Sequence, residues 1–203
     1  MIKVIIFDLG SVCFKIDWLK LNDEMVNKFG ISTLITSNYG ADIQEVYYQT
    51  LAGKKNMKDV FTEICKLKNI KRDVSEICAF YKEAYKKCKK TNKRLMELIK
   101  KLKEKYKIIC LSDTNKIHFE SHQEQGLLKH FSEVFVSFEL GSRKSDKNTF
   151  IKVLEQIKVK PGETLFIDDY KINVDNAKSL GINTIKYENY NQLVKELKHL
   201  KII

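Results

Sequence analysis

From about residue 92 onward the chain alternates short apolar runs with stretches of helical periodicity, and this alternation restricts its fold more than any other feature. The runs 107–111, 133–137, 164–167 and 184–187 read as strands, and the N-terminal run 4–7 adds a fifth. Helices are expected over 92–106, 147–157 and 174–180, the last stopped by Gly181. Strands separated by helices form a parallel sheet covered by helices, so an α/β core is expected.

Between the first strand and the rest lies a different texture. Trp18, Leu21, Met25 and Phe29 recur at near-helical spacing up to Gly30. Three more stripes follow: Ile43, Val46, Tyr47 and Leu51; Met57, Val60, Phe61, Ile64 and Leu67; Val74, Ile77, Cys78, Tyr81 and Tyr85. The expected organisation is a core of residues 1–15 and 91–203 interrupted by an all-helical insert over 16–90.

At 203 residues the chain can bury one substantial core with an insert. No apolar run approaches the roughly 18 to 20 residues of a membrane helix, and the N-terminus lacks a leader pattern, so a cytoplasmic protein without membrane partners is expected. The five cysteines include no C-x-x-C pair, which points to neither a disulfide framework nor a zinc site. The net charge of +11 concentrates between Lys86 and Lys107, where eleven Lys or Arg face only Glu97 and Glu104. No aromatic-rich RNA-binding motif or zinc finger accompanies that run, so it reads as a solvated basic surface and nucleic acid is not an expected partner.

The chemistry concentrates at strand ends. Asp8 closes the first run, LSDTN (111–115) follows the second, RKSDK (143–147) lies in a later loop, and FIDDYKIN (166–173) follows the fourth. Strand ends of one parallel sheet face one crevice, so Asp8, Ser112, Lys144 and the Asp168–Asp169 pair can meet a single ligand. Carboxylates, a hydroxyl and an ammonium around one point suit an anion held beside a divalent cation. Magnesium (Mg2+) takes oxygen ligands, commonly one or two carboxylates plus substrate phosphate oxygens.

These four clusters, in this order and along the whole chain, resemble the four motifs of the haloacid dehalogenase superfamily, the aspartate-nucleophile phosphohydrolases. D-L-G-x-V, S-D-T-N-x-x-H and G-x-R-K resemble the branch that contains sugar-phosphate phosphatases such as α-glucose-1-phosphate phosphatase. The resemblance implies a Rossmann-like core with a helical cap, and hydrolysis of a small phosphorylated metabolite through an aspartyl phosphate. It makes Asp8 the nucleophile. Magnesium would be held by Asp8, the Gly10 carbonyl and Asp169, with Asp168 and Asn173 orienting that shell. Leu9, Gly10, Ser112, Asp113, Lys144 and His118 would meet the substrate, and Lys144 would keep Asp8 ionised. Lys147 competes for the last role, but Lys144 follows Arg143 as the third motif has it. Asp113 replaces a common asparagine, so its side chain is expected to turn away, toward the cap. His118 and His122, four apart on an expected helix, lack a third ligand for a metal. Trp18, Tyr47 and Tyr48 would set selectivity from the cap.

Gly10 departs from the pattern, because most members carry there an aspartate that serves as general acid and base. The rival readings are therefore a weak or inactive relative that binds a phospho-ligand or a protein, and a haloacid dehalogenase. Asp17 or His118 could replace the missing acid.

Overall fold

The computed structural model describes all 203 residues. Strand β1 (Val4–Phe7) is buried along its whole length. It leads through a tight loop to β2 (Phe14–Ile16), and then to five helices, α1 (Trp18–Phe29), α2 (Ile35–Asn38), α3 (Ala41–Leu51), α4 (Met57–Lys68) and α5 (Val74–Lys87). Strand β3 (Lys89–Thr91) brings the chain back to the core. There follow α6 (Lys93–Leu102), β4 (Lys107–Ser112), α7 (Lys116–Glu124), β5 (Glu133–Val136), α8 (Ser137–Leu140), α9 (Lys147–Ile157), β6 (Thr164–Asp168), α10 (Lys171–Ser179), β7 (Asn183–Lys186) and α11 (Tyr190–His199).

Five strands form one parallel sheet in the order β5-β4-β1-β6-β7, which establishes the expected α/β architecture. The pleat of β1 shows why it is central. Ile5 and Phe7 join the apolar cluster under α6 and α11, whereas Val4 and Ile6 join the cluster under α9. Burying such a side chain contributes on the order of 1.5–3 kcal/mol relative to exposure, so a four-residue strand with every side chain inside must be covered on both faces. Because β1 lies between β4 and β6, its carboxyl end opens at the point where the strand order reverses. In such sheets the ligand crevice lies there.

A separate apolar cluster is drawn from Leu21 to Cys88 and joins α1, α3, α4 and α5. Its helices end as their sequences dictate. Asp17 caps α1 by accepting from the Lys20 N–H, and Gly30 closes it in the left-handed conformation at φ 70°. The helical segment is not joined to the core by loops. β2 and β3 form an antiparallel ribbon, with Phe14 opposite Thr91 and Ile16 opposite Lys89, and the Asp17 N–H donates to the Cys88 carbonyl at 3.0 Å. This ribbon was not expected, since each strand is three residues long and K-K-T carries no apolar alternation. The helix expected over 92–106 stops at Leu102, and a turn through Tyr106 precedes β4.

Candidate active site

The site is assembled from four loops at the carboxyl edge of the sheet. Asp8 follows β1 directly, and its backbone N–H is held by the Ile167 carbonyl at 2.9 Å. The chain then turns sharply: the Val12 N–H donates to the Gly10 carbonyl at 2.6 Å, and Ser11 adopts a left-handed φ of 58°. Asp8, Gly10 and Ser11 thereby line a cavity of about 300 Å³. Leu9 does not, because its side chain is fully buried in the core. Of the residues expected to meet substrate, Leu9 therefore has only its backbone to offer. Side chains alternate along an extended chain, so Leu9 faces inward where Asp8 faces the crevice.

Lys144 enters from the loop after α8. Its ammonium is buried and bonds Asp8 Oδ1 closely, and it donates to Asp168 Oδ2 at 2.6 Å. Lys147 opens α9 and is exposed, so it is not brought to the site. The amide of Asn176 holds the Lys144 loop by donating to the carbonyls of Lys144 and Ser145 at 3.2 and 2.8 Å. Asp168 is fully buried and saturated: besides Lys144 it accepts from the Tyr170 N–H at 2.7 Å and from the Asn173 amide at 3.2 Å. Asp169, beside it, faces the cavity.

Ser112 ends β4 and lines the same cavity. Asp113 lines it too, but its carboxylate turns to the neighbouring loop, accepting the Lys144 N–H at 3.0 Å with Arg143 Nε 3.7 Å away. It does not point at the helical segment as expected, because an unpaired loop N–H offers a closer partner. His118 lies at the cavity wall within α7. Its ring stacks on Tyr85 at 3.9 Å and 9°, and Nε2 pairs with the Tyr81 hydroxyl at 2.8 Å. His122 pairs instead with the Lys89 ammonium, so the two histidines do not converge on a metal. Asp17 caps α1 and lies outside the cavity.

Trp18, Tyr47, Leu51 and Tyr85 close the cavity from the helical side. Tyr48 lies outside it, with the Arg143 guanidinium 5.3 Å from its ring centre. Ser11, Thr114, Tyr85 and Arg143 were not among the expected site residues. Adjacency to Asp8, Ser112 and Lys144 was the available signal for three of them, and nothing marked Tyr85.

Charge at the floor is unbalanced. Asp8, Asp168 and Asp169 stand against the single ammonium of Lys144. Burial, with repulsion from Asp168 and Asp169, raises the Asp8 pKa to about 7 in spite of Lys144. Burial and Asp168 likewise raise that of Asp169. Burial acts to lower Lys144, but the charges of Asp8, Asp168 and Asp113 hold it above the ordinary lysine value. No three His, Cys, Asp or Glu side chains form a metal cluster by themselves. Two carboxylates and a backbone carbonyl around an acid-rich floor nevertheless fit a hard divalent cation that completes its shell with water and ligand oxygens.

Burial sets the histidines apart from this chemistry. It lowers His118 to about 3, with help from the Lys89 charge. Burial thus disfavours the imidazolium, and with Nε2 already engaged by the Tyr81 hydroxyl the structure does not present His118 as a free acid in place of the missing one.

Comparison with known proteins places this geometry. A family model described as haloacid dehalogenase-like hydrolase matches residues 2–181. A D-ribitol-5-phosphate phosphatase of Bacteroides thetaiotaomicron is 27% identical over 93% of each chain. A sesquiterpene phosphatase of Aspergillus oryzae is 28% identical over 89% of this chain and 87% of its own. A haloacid dehalogenase family enzyme of Bacteroides thetaiotaomicron, solved as a magnesium complex, superimposes with a TM-score of 0.79 at 25% identity, covering 96% of this chain and 98% of that one. With the family match running from the first strand past the fourth motif, the chain belongs to the haloacid dehalogenase-like hydrolases.

Proposed function

We infer that this phosphoric monoester hydrolase is a magnesium-dependent phosphatase acting on a small phosphorylated metabolite, with Asp8 as nucleophile. The observation that carries this reading is the buried Asp8–Lys144–Asp168 array at the cavity floor with Asp169 open beside it. One Asp8 oxygen attacks phosphorus while the ester P–O bond breaks and the leaving oxygen takes a proton from water. Water then cleaves the acyl phosphate, releasing inorganic phosphate and restoring Asp8. Lys144 favours the Asp8 anion against the effect of burial and presents its ammonium to the phosphoryl oxygens, with Ser112 and the Asp113 N–H as further donors. Asp8, the Gly10 carbonyl and Asp169 are the residues that would hold magnesium, while Asp168 and Asn173 fix the floor behind them. When bound, the cation supplies charge neutralisation between carboxylate and phosphate.

The acid pair argues against dehalogenation, since two adjacent carboxylates repel an anionic haloacid unless a cation intervenes. A sugar or polyol phosphate is favoured by the D-ribitol-5-phosphate phosphatase at 27% identity. Gly10 favours a second reading, a slow relative that binds its phospho-ligand without rapid turnover. The test is a screen of phosphorylated metabolites with magnesium and with a chelator. Turnover should need the metal, and Asp8→Asn should remove nearly all of it while the melting curve stays cooperative. Full activity in Asp8→Asn overturns the mechanism; magnesium-dependent ligand binding without turnover selects the second reading.

A further inference from the structure

The geometry points to an aryl phosphate, the phosphate ester of a phenolic hydroxyl, as the substrate class of this cavity, with the rings of Trp18 and Tyr170 holding its leaving group. That class rests on the phosphatase reading for what fills the cavity floor, and it departs from the sugar or polyol favoured there. A hydroxylated leaving group has to exchange its water for polar side chains, and the wall beyond the floor has its polar side chains already engaged. His118 is paired with the Tyr81 hydroxyl and His122 with the Lys89 ammonium, each at 2.8 Å. The Asn173 amide donates to Asp168 at 3.2 Å, and the Thr114 hydroxyl to the Asn115 carbonyl at 3.4 Å. Asp113 accepts the Lys144 N–H at 3.0 Å and is the ion-pair partner of Arg143. Outside these pairs, the polar side-chain atoms of the wall sit at ring tips: the hydroxyls of Tyr47, Tyr85 and Tyr170 and the indole N–H of Trp18. No carboxylate or amide there is without a partner to read neighbouring hydroxyls.

What the wall offers instead is apolar surface. Phe14, Ile16 and Leu51 join the four rings in the lining. Two of those rings keep much of their surface open. Trp18, at the start of α1, has Tyr85 and His118 at centroid distances of 6.1 and 6.2 Å and is still 43% exposed. Tyr170 follows Asp169, and its N–H donates to Asp168 Oδ1 at 2.7 Å, so its backbone is tied to the floor while its side chain leaves the residue 63% exposed. A single exposed ring is ordinary, but these two line one cavity, one from the helical segment and one from the core. A flat apolar group bound there removes both from water. The departing oxygen leads to the same class. Asp8 is the nucleophile, Asp169 belongs with the cation, Asp168 is saturated, and Asp113 is turned to a backbone N–H. No carboxyl of the cavity is left to protonate an alkoxide, whereas a phenolate departs far more readily without a proton.

Phosphonates, which are not hydrolysed, separate ring binding from leaving-group chemistry. Benzylphosphonate stands for phenyl phosphate, 3,4-dihydroxybutylphosphonate for a polyol phosphate, and cyclohexylmethylphosphonate for an apolar group that is not flat. Affinities are measured by calorimetry on the native protein with magnesium. Benzylphosphonate should bind about tenfold or more tighter than the dihydroxybutyl compound and about threefold or more tighter than the cyclohexylmethyl one. Trp18→Ala combined with Tyr170→Ala should bring the first ratio to near one while melting stays cooperative, and Trp18→Phe combined with Tyr170→Phe should retain most of it. In the double alanine variant KM for phenyl phosphate should rise about tenfold with kcat changed by less than about twofold. Equal affinity of the benzyl compound and either of the other two, binding of none of the three, or an undiminished ratio in the double alanine variant overturns the proposal. Turnover of glycerol phosphate with equal phosphonate affinities would sink the aryl class and leave the phosphatase reading standing. If benzylphosphonate binds best but no ester is turned over, the phosphatase reading fails and the aryl class stands as that of the ligand.

Discussion

On the aspartyl-phosphate mechanism proposed above, Gly10 is the residue expected to limit the rate. That mechanism then lacks the aspartate that serves most of the family as general acid; Asp17 caps a helix outside the cavity, and burial disfavours the His118 imidazolium, whose Nε2 is already paired with the Tyr81 hydroxyl. General acid-base assistance is typically worth about 100- to 10,000-fold, and its loss weighs most on poor leaving groups. The position can accept the test: a Cβ at Gly10 would meet nothing closer than Asp8 Oδ2 at 3.9 Å, and the backbone there is not left-handed. Rates across phosphate esters graded by leaving-group pKa should fall steeply in the native protein and less steeply in Gly10→Asp. An equally shallow dependence in both would mean that another acid already serves the site. Motif spacing alone drew attention to Asp8, Ser112, Lys144 and Asp169. It did not reveal that Leu9 faces the core or that Asp113 turns to a backbone N–H, since side-chain direction depends on partners remote in sequence.

Gly53 shows how closely the helical segment is fitted to the core. It follows α3 at φ +72°, and a Cβ there would lie 2.0 Å from the Phe138 carbonyl oxygen of α8. Gly53→Ala should cost about 2 kcal/mol or more, part from the left-handed backbone and part from displacement of α3, whereas exposed Gly162→Ala should be near neutral. Because α3 carries Tyr47 and Leu51 to the cavity, KM should rise as well. Denaturant midpoints and steady-state kinetics check both. The seam between α5 and α7 makes a signed pH prediction. Unfolded His118 takes a proton near the ordinary histidine value of 6.5, while burial in the fold lowers its pKa to about 3. The unfolded state therefore binds more protons in that window, and stability falls as pH drops from about 6.5 toward 3, by at most about 1.4 kcal/mol per pH unit per group. His118→Phe should make that slope shallower by about one proton in denaturant titrations between about pH 7 and pH 5. The sheet strands were legible to within a residue or so because strands buried on both faces read as nearly continuous apolar runs. The β2–β3 ribbon was hidden by its lysines, one of which turns its charge inward: the Lys89 ammonium lies 5.0 Å from the Tyr85 ring centre and donates to Ser121 and Gln125.

Over the whole molecule the excess of positive charge is spread and partly neutralised, not gathered into a single groove. Lys86 pairs with Glu83 and Glu124, Lys107 with Glu133, Lys89 turns into the α7 seam, and the Arg94 guanidinium lies 4.3 Å from the Tyr190 ring centre. The basic run thus divides among α5, β3, α6 and β4, and no helix is long and apolar enough to cross a membrane. A net charge of +11 still attracts anions to the molecule at long range, the anionic substrate proposed above included. That attraction is screened over about 10 Å at 0.1 M salt, so kcat/KM for a phosphate ester should fall by about three- to tenfold between about 0.02 and 0.5 M sodium chloride. The fall belongs to association, so kcat at saturating substrate should stay nearly constant over the same range. Charge-neutral replacement of Lys90, Lys93 and Arg94 together should flatten the dependence while leaving the fold cooperative. Tight binding to DNA or RNA that collapses over the same salt range, and is lost in that triple variant, would instead make this surface a nucleic-acid interface.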